Sequence, residues 1–267
     1  MNKNIITVIA VVVVLIFGIV FRHQIKTLAL GGAQESPVPS SSSSPVPSVS
    51  EMPSITPETS PTVKPGGYHG RPTEELRPVP DEVKLFSEAQ KKEIYRSLQN
   101  YGKTVRENPD FFDGWIQLGL LKKTIGDYEG ARDAWEYAGV IRPKNSLSFG
   151  NLGELYWRYL HLYPQAEMNF KTSIQKDPHN PAMYVSLSDV YFYSIKEKSN
   201  LADDILLQGI AANPTSIDLV KALARLYEKS GQYANAIEWW QKVLATDPNN
   251  AGIIATIDAL KKKLAGQ

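Results

Sequence analysis

Residues 113–143 read DGWIQLGLLKKTIGDYEGARDAWEYAGVIRP. Two helical stretches lie in this segment. Small Gly119 and Ala131 allow them to approach closely, while Leu118 and Trp135 fill the space between them. Pro143 cannot continue the second helix, because it lacks an N–H and its ring clashes with the preceding turn. The unit recurs. Prolines at 109, 143, 178, 214 and 248 stand 34, 35, 36 and 34 residues apart. A period near 34 is that of a stacked helix–turn–helix array, so the fold class is all-α and the architecture a solenoid with an open concave face.

The residues carry a more specific pattern. Trp115, Leu118, Gly119, Ala131, Trp135, Ala138 and Pro143 follow W-x2-L-G…A-x3-F-x2-A…P, which resembles the tetratricopeptide repeat (TPR) at each of these positions. The tyrosine usual three residues after the glycine is here Lys122. The second unit reads Phe149, Leu152, Gly153, Tyr156, Ala166, Phe170, Ser173 and Pro178, with one extra residue near 162–164. The third reads Tyr184, Leu187, Ser188, Tyr191, Ala202, Leu206, Gly209 and Pro214, with two extra residues in 196–200. The fourth reads Leu223, Ala224, Tyr227, Gly231, Ala236, Trp240, Val243 and Pro248. Repeats are thus expected at 112–145, 146–180, 181–216 and 217–250, with capping helices at 87–107 and 251–264. Together they make a domain over 81–267. In the closing helix Ile253, Ile254, Ile257 and Leu260 are expected to face the last repeat, and Lys261–Lys263 water.

Upstream, residues 5–21 carry no charge and are rich in Val and Ile. Such a run covers roughly 25 Å as a helix, near the lower limit for crossing a bilayer. We read 1–33 as a membrane anchor; a cleaved signal peptide is the rival, although no small-x-small site follows the run closely. Lys3 on one side and Arg22 and Lys26 on the other nearly balance the positive-inside count. The short N-terminal tail before a large domain favours repeats outside the cytoplasm. Residues 34–80 are Pro-, Ser- and Thr-rich, with little to bury, and are expected to be a disordered linker.

Composition restricts function. The formal net charge is +1, which argues against a nucleic-acid partner. There is no cysteine, so no disulfide or thiolate metal site exists, and the four histidines are scattered. No phosphate-binding loop, nucleophile elbow or zinc-protease motif occurs. Neither catalytic residues nor cofactors nor metal ligands are therefore expected, and the chain is not read as an enzyme. The acidic pairs Asp110/Asp113 and Asp203/Asp204 fall at helix starts, where capping explains them.

The concave groove remains. Its register positions are Ile116, Leu120 and Lys123; Glu154, Trp157 and Arg158; Val185, Asp189, Phe192 and Tyr193; then Lys221, Arg225, Glu228 and Lys229. The TPR resemblance implies protein partners. Members that hold chaperone C-terminal tails use a Lys, Asn and Arg clamp, which is not reproduced: Asn151, Lys221 and Arg225 echo it, whereas Glu154 and Asp189 oppose a carboxylate. The candidate site is Trp157, Arg158, Phe192, Tyr193, Lys221, Arg225 and Lys229, an aromatic cluster beside a basic end, suited to a peptide with apolar anchors. The alternative is that the aromatics merely pack between repeats. The functional expectation is a membrane-tethered protein-interaction module, in a cell-envelope assembly. A structural spacer or self-associating homo-oligomeric scaffold is the rival.

Overall fold

The computed structural model describes residues 67–266. The expected anchor at 5–21, and the linker up to residue 66, lie outside them. No helix among the described residues is long and apolar enough to cross a membrane. No strand occurs among them either.

A short helix α1 (Pro80–Val83) precedes α2 (Glu88–Glu107). Four helical pairs follow: α3 (Phe112–Thr124) with α4 (Tyr128–Ile141), α5 (Leu147–Arg158) with α6 (Tyr163–Lys176), α7 (Pro181–Asp189) with α8 (Ala202–Ala212), and α9 (Ile217–Lys229) with α10 (Tyr233–Leu244). Helix α11 (Ala251–Ala265) closes the array. Local chemistry sets the ends. Ser87 and Gln90 form a reciprocal capping box on α2, and the Asp127 and Asn250 side chains accept from Gly130 and Ile253 N–H groups.

The repeat residues form the core. Trp115, Leu118, Ala131, Trp135, Ala138, Phe170, Leu187, Leu206 and Leu223 are all buried. The fit around Gly119 is tight: a β-carbon there would lie 2.3 Å from Trp135 Nε1. That nitrogen donates to Ile116 O at 3.1 Å.

The turn within each pair varies with its length. The first and fourth pairs place Gly126 and Gly231 in the left-handed region, at φ 83° and 76°. The second, one residue longer, places His161 there at φ 53°. The third takes another route: α7 widens into a π-helical turn (Val190–Ser194), followed by a 3-10 turn (Lys196–Leu201). The extra residues expected at 196–200 are therefore absorbed partly inside the helix, as is usual for π-bulges.

Adjacent repeats are fastened by a recurring contact. The hydroxyls of Tyr156, Tyr191 and Tyr227 donate to Glu136, Glu167 and Asp203, each on the second helix of the preceding repeat, at 2.7, 2.8 and 3.1 Å. In the first repeat Lys122 holds the equivalent position. It is fully buried, and its Nζ lies 2.9 Å from Asp127 Oδ2 and 3.2 Å from Glu75 O. No complete repeat precedes it among the described residues, and the cation reaches the chain's own upstream backbone.

That contact corrects the linker boundary placed at residue 80. Residues 67–79 lie along α2, α3 and α4. Thr73 Oγ1 donates to Gly102 O at 2.8 Å, and the Val79 N–H to Ile125 O at 2.7 Å. The cause is a sparse set of specific anchors, not a run of apolar residues.

Glu167 supplies a pH prediction. Burial alone would raise its carboxyl, but hydrogen bonds from Lys171, Lys198 and Tyr191 outweigh it and hold it below the ordinary carboxylate range. A carboxylate lowered by folding stabilises above its unfolded value of about 4.3, and that stability disappears as pH falls through the folded value. Thermal unfolding of Glu167→Gln followed between about pH 3 and pH 7 should therefore show a flatter acid limb than wild type. Identical limbs would remove Glu167 from the acid response.

Candidate functional site: the concave groove

Helices α3, α5, α7 and α9 present the groove. Its charged residues alternate across the repeats. Lys123 Nζ sits 5.5 Å from the Tyr159 ring centre and 6.0 Å from that of Trp135, and burial pushes its ammonium below the usual lysine range. Arg158 Nε pairs with Glu154 at 2.7 Å, and its guanidinium stacks 3.9 Å from the Trp157 ring centre. Asp189 follows. Burial raises its carboxyl above the ordinary value, against the opposing pull of Lys229 and Arg158.

Between the third and fourth repeats the groove opens into a cleft of about 220 Å³. Its floor is aliphatic: Val185 from α7, Leu206 from α8, and Ala222 and Leu226 from α9. Its rim is polar: Asp189, Tyr193, Arg225 and Lys229. Lys229 donates to the Tyr193 hydroxyl, with its Nζ 4.8 Å from the ring centre. Arg225 lies 6.0 Å from the Trp240 ring centre. Lys221, Arg225 and Lys229 recur every four residues on α9 and so share one stripe. Among the described residues none of the three is paired with a carboxylate.

The structure thus brings three of the candidate residues, Tyr193, Arg225 and Lys229, to one cleft. Tyr193 is 44% exposed. Lys221 stands on the same stripe and does not line the cleft. Arg158 is exposed one repeat away. Trp157 and Phe192 are half-buried against the core. Trp157 meets the Phe170 ring edge-on at 6.4 Å and donates through Nε1 to Ser194 Oγ at 3.0 Å, which ties the second repeat to the π turn of the third. Phe192 packs edge-on to Tyr193 at 4.9 Å. Both rings are thus partly covered by the core, and Trp157 is also tied to the next repeat.

Four lining residues were not read as groove positions from sequence: Ser188, Leu206, Ala222 and Leu226. Ser188 and Leu206 occupy core positions, and nothing local marks where the core leaves a gap. Ala222 offered a weak signal, a small residue beside Lys221 on a groove-facing helix. Among the described residues no group of three or more His, Cys, Asp or Glu is placed to hold a metal ion.

The fourth repeat matches a family model, Tetratricopeptide repeat, over residues 218–250. The chain is 29% identical over 106 residues to Tetratricopeptide repeat protein 8 of Mus musculus, covering 40% of this chain and 20% of that protein. Three further curated relatives are matched over 10%, 30% and 52% of their own lengths. In fold the chain is similar to a tetratricopeptide repeat protein from Parabacteroides merdae, with a TM-score of 0.52 at 15% identity, covering 69% of this chain and 73% of that one. It is likewise similar to MamA, with a TM-score of 0.50 at 17% identity, covering 65% and 97%. The described residues form an all-helical TPR-type solenoid, a fold typical of protein–protein interaction modules.

Proposed function

We propose that this protein is a membrane-tethered interaction module whose concave groove takes an extended segment of a partner protein. The segment carries an acidic residue next to an aliphatic one. The observation that carries this reading is the cleft between the third and fourth repeats, with an aliphatic floor and a rim bearing Arg225 and Lys229. Neither forms a salt bridge among the described residues, although Lys229 feels Asp189 across the cleft. An aliphatic side chain on the floor supplies burial, and a carboxylate at the rim supplies orientation and faster encounter. Asp189 opposes that carboxylate and limits affinity.

The uncharged run at 5–21 and the Pro- and Ser-rich segment after it support a tether, with the solenoid outside the cytoplasm in a cell-envelope assembly. Full-length protein should stay with membranes through carbonate washing. Protease added outside the cytoplasmic membrane should cut between the run and residue 67 and leave the repeats intact. Release by carbonate, or repeats shielded until that membrane is broken, would reject this topology.

Selection of a random peptide library on the full-length protein should return acidic-aliphatic sequences. Asp189→Asn should bind them more tightly, by about threefold to tenfold, in keeping with removal of one like charge at short range. A groove that serves only as a spacer returns no consensus, and then light scattering should show self-association instead.

A further inference from the structure

Residues 67–79 meet the solenoid in the manner of a bound peptide. The Tyr68 ring packs against both Trp115 and Tyr137, at centroid distances of 4.7 and 5.6 Å, and the three rings form one cluster. Its hydroxyl donates to Arg71 O at 2.7 Å and shapes the turn between the two anchors. Arg71 then engages α4 three ways: its backbone N–H reaches Asp133 Oδ2 at 3.1 Å, Nη1 reaches the same oxygen at 2.7 Å, and Nη2 pairs with Glu129. Thr73 is buried, and its hydroxyl donates to Gly102 O. Gly102 is required for that approach, since a β-carbon there would lie 2.5 Å from Thr73 O. Lys122 and Lys123, adjacent in sequence, point about 100° apart on α3. Lys122 serves this face and Lys123 the concave groove.

An aromatic side chain among aromatic rings, followed by a guanidinium on two carboxylates, is the composition of a peptide hot spot. The acidic side of the receptor is set for that cation. Burial would raise the Asp133 carboxyl, but hydrogen bonds from the Arg71 backbone and from the Arg132 and Arg71 side chains hold it below the ordinary range.

We infer that the face formed by α2, α3 and α4 is a second peptide-binding site, separate from the concave groove, which recognises an extended Tyr-x-x-Arg-x-Thr segment and is held filled by residues 68–73 of the same chain. The segment acts as a latch. While docked, it fixes where the preceding residues leave the solenoid. When a competing Tyr/Arg segment displaces it, the aromatic and acidic surface changes hands. Freeing residues 67–79 then adds about 40 Å to the reach of the upstream chain, at about 3.3 Å per extended residue.

The test uses the full-length protein and a fluorescein-labelled peptide of residues 66–80. In wild type the site is filled in cis at an effective concentration on the order of millimolar, so the peptide should bind weakly. Tyr68→Ala/Arg71→Ala, made in the protein, empties the site and should bind the peptide at least about tenfold more tightly, since the competing cis ligand is lost. A peptide carrying the same two substitutions should not bind. Hydrogen exchange on wild type covers the case of a double variant that misfolds: excess native peptide should speed exchange of amides within 67–79 and leave α9 unchanged, and the substituted peptide should do neither. Equal binding of the native peptide by both proteins, binding by neither, or exchange unaffected by the native peptide would overturn the proposal.

Discussion

Trp135→Ala should destabilise the solenoid by about 3–5 kcal/mol, the range for truncating a large buried aromatic. Trp135 is 1% exposed, and it fills the contact between α3 and α4 that Gly119 makes possible. Truncation removes that contact surface and the hydrogen bond that the indole adds to the Ile116 carbonyl. Urea unfolding followed by far-ultraviolet circular dichroism measures the loss. Gly119→Ala should also be costly, because the new methyl group meets the indole itself and the core is too dense to yield. A loss below about 1 kcal/mol for Trp135→Ala would be that of a surface change, and it would contradict the packing of the first repeat.

Asp127→Ala should rival it. The Lys122–Asp127 pair is almost without solvent, with side-chain exposures of 1% and 5%. Removing the carboxylate strands a buried ammonium with the Glu75 carbonyl as its remaining partner, a loss of about 3–5 kcal/mol. It also removes the cap on Gly130 N–H, about 1 kcal/mol more. Lys122→Met also strands a charge but should cost less. The Asp127 carboxylate keeps the Gly130 N–H as a partner and its capping role, and the methionine fills much of the same volume. The order of the two variants in urea unfolding is the check. If Lys122→Met proved the more damaging, the cation, not the cap and carboxylate, would be the organising element of the turn.

The repeat register was legible because it rests on residue size at fixed spacing: glycine or alanine where helices touch, aromatic or leucine where they leave room, proline where the second helix stops. Gly119, Ala131 and Trp135 carry this without reference to anything distant. The docking of residues 67–79 was not legible. The segment is rich in proline, glycine and charge, with few apolar residues, so its composition reads as a linker. Its binding depends on Asp133, Glu129 and Gly102, which lie far off in sequence and nearby only once the helices stack. Lys122 was the clue, since a lysine at an interior repeat position demands a counter-charge or a carbonyl. The groove was legible as a set of helix positions. Which of those side chains stay free was not, because Trp157 and Phe192 sit at the edge between groove and core, and Phe192 lies within the π turn at Val190–Ser194, which α-helical spacing does not anticipate. The cleft itself depends on a gap over Leu206, and packing gaps leave no local mark.

If the cations beside this cleft choose the ligand, reversing their charge must reverse the choice. A peptide selection run in parallel on full-length wild type and on Arg225→Glu/Lys229→Glu reads this out, once both proteins are shown to have the same helicity and thermal midpoint. Wild type should enrich acidic-aliphatic peptides. The reversed protein should lose them and enrich basic-aliphatic ones, and added salt should weaken both preferences. Acidic peptides enriched equally on both proteins would contradict this and place peptide recognition away from the concave groove.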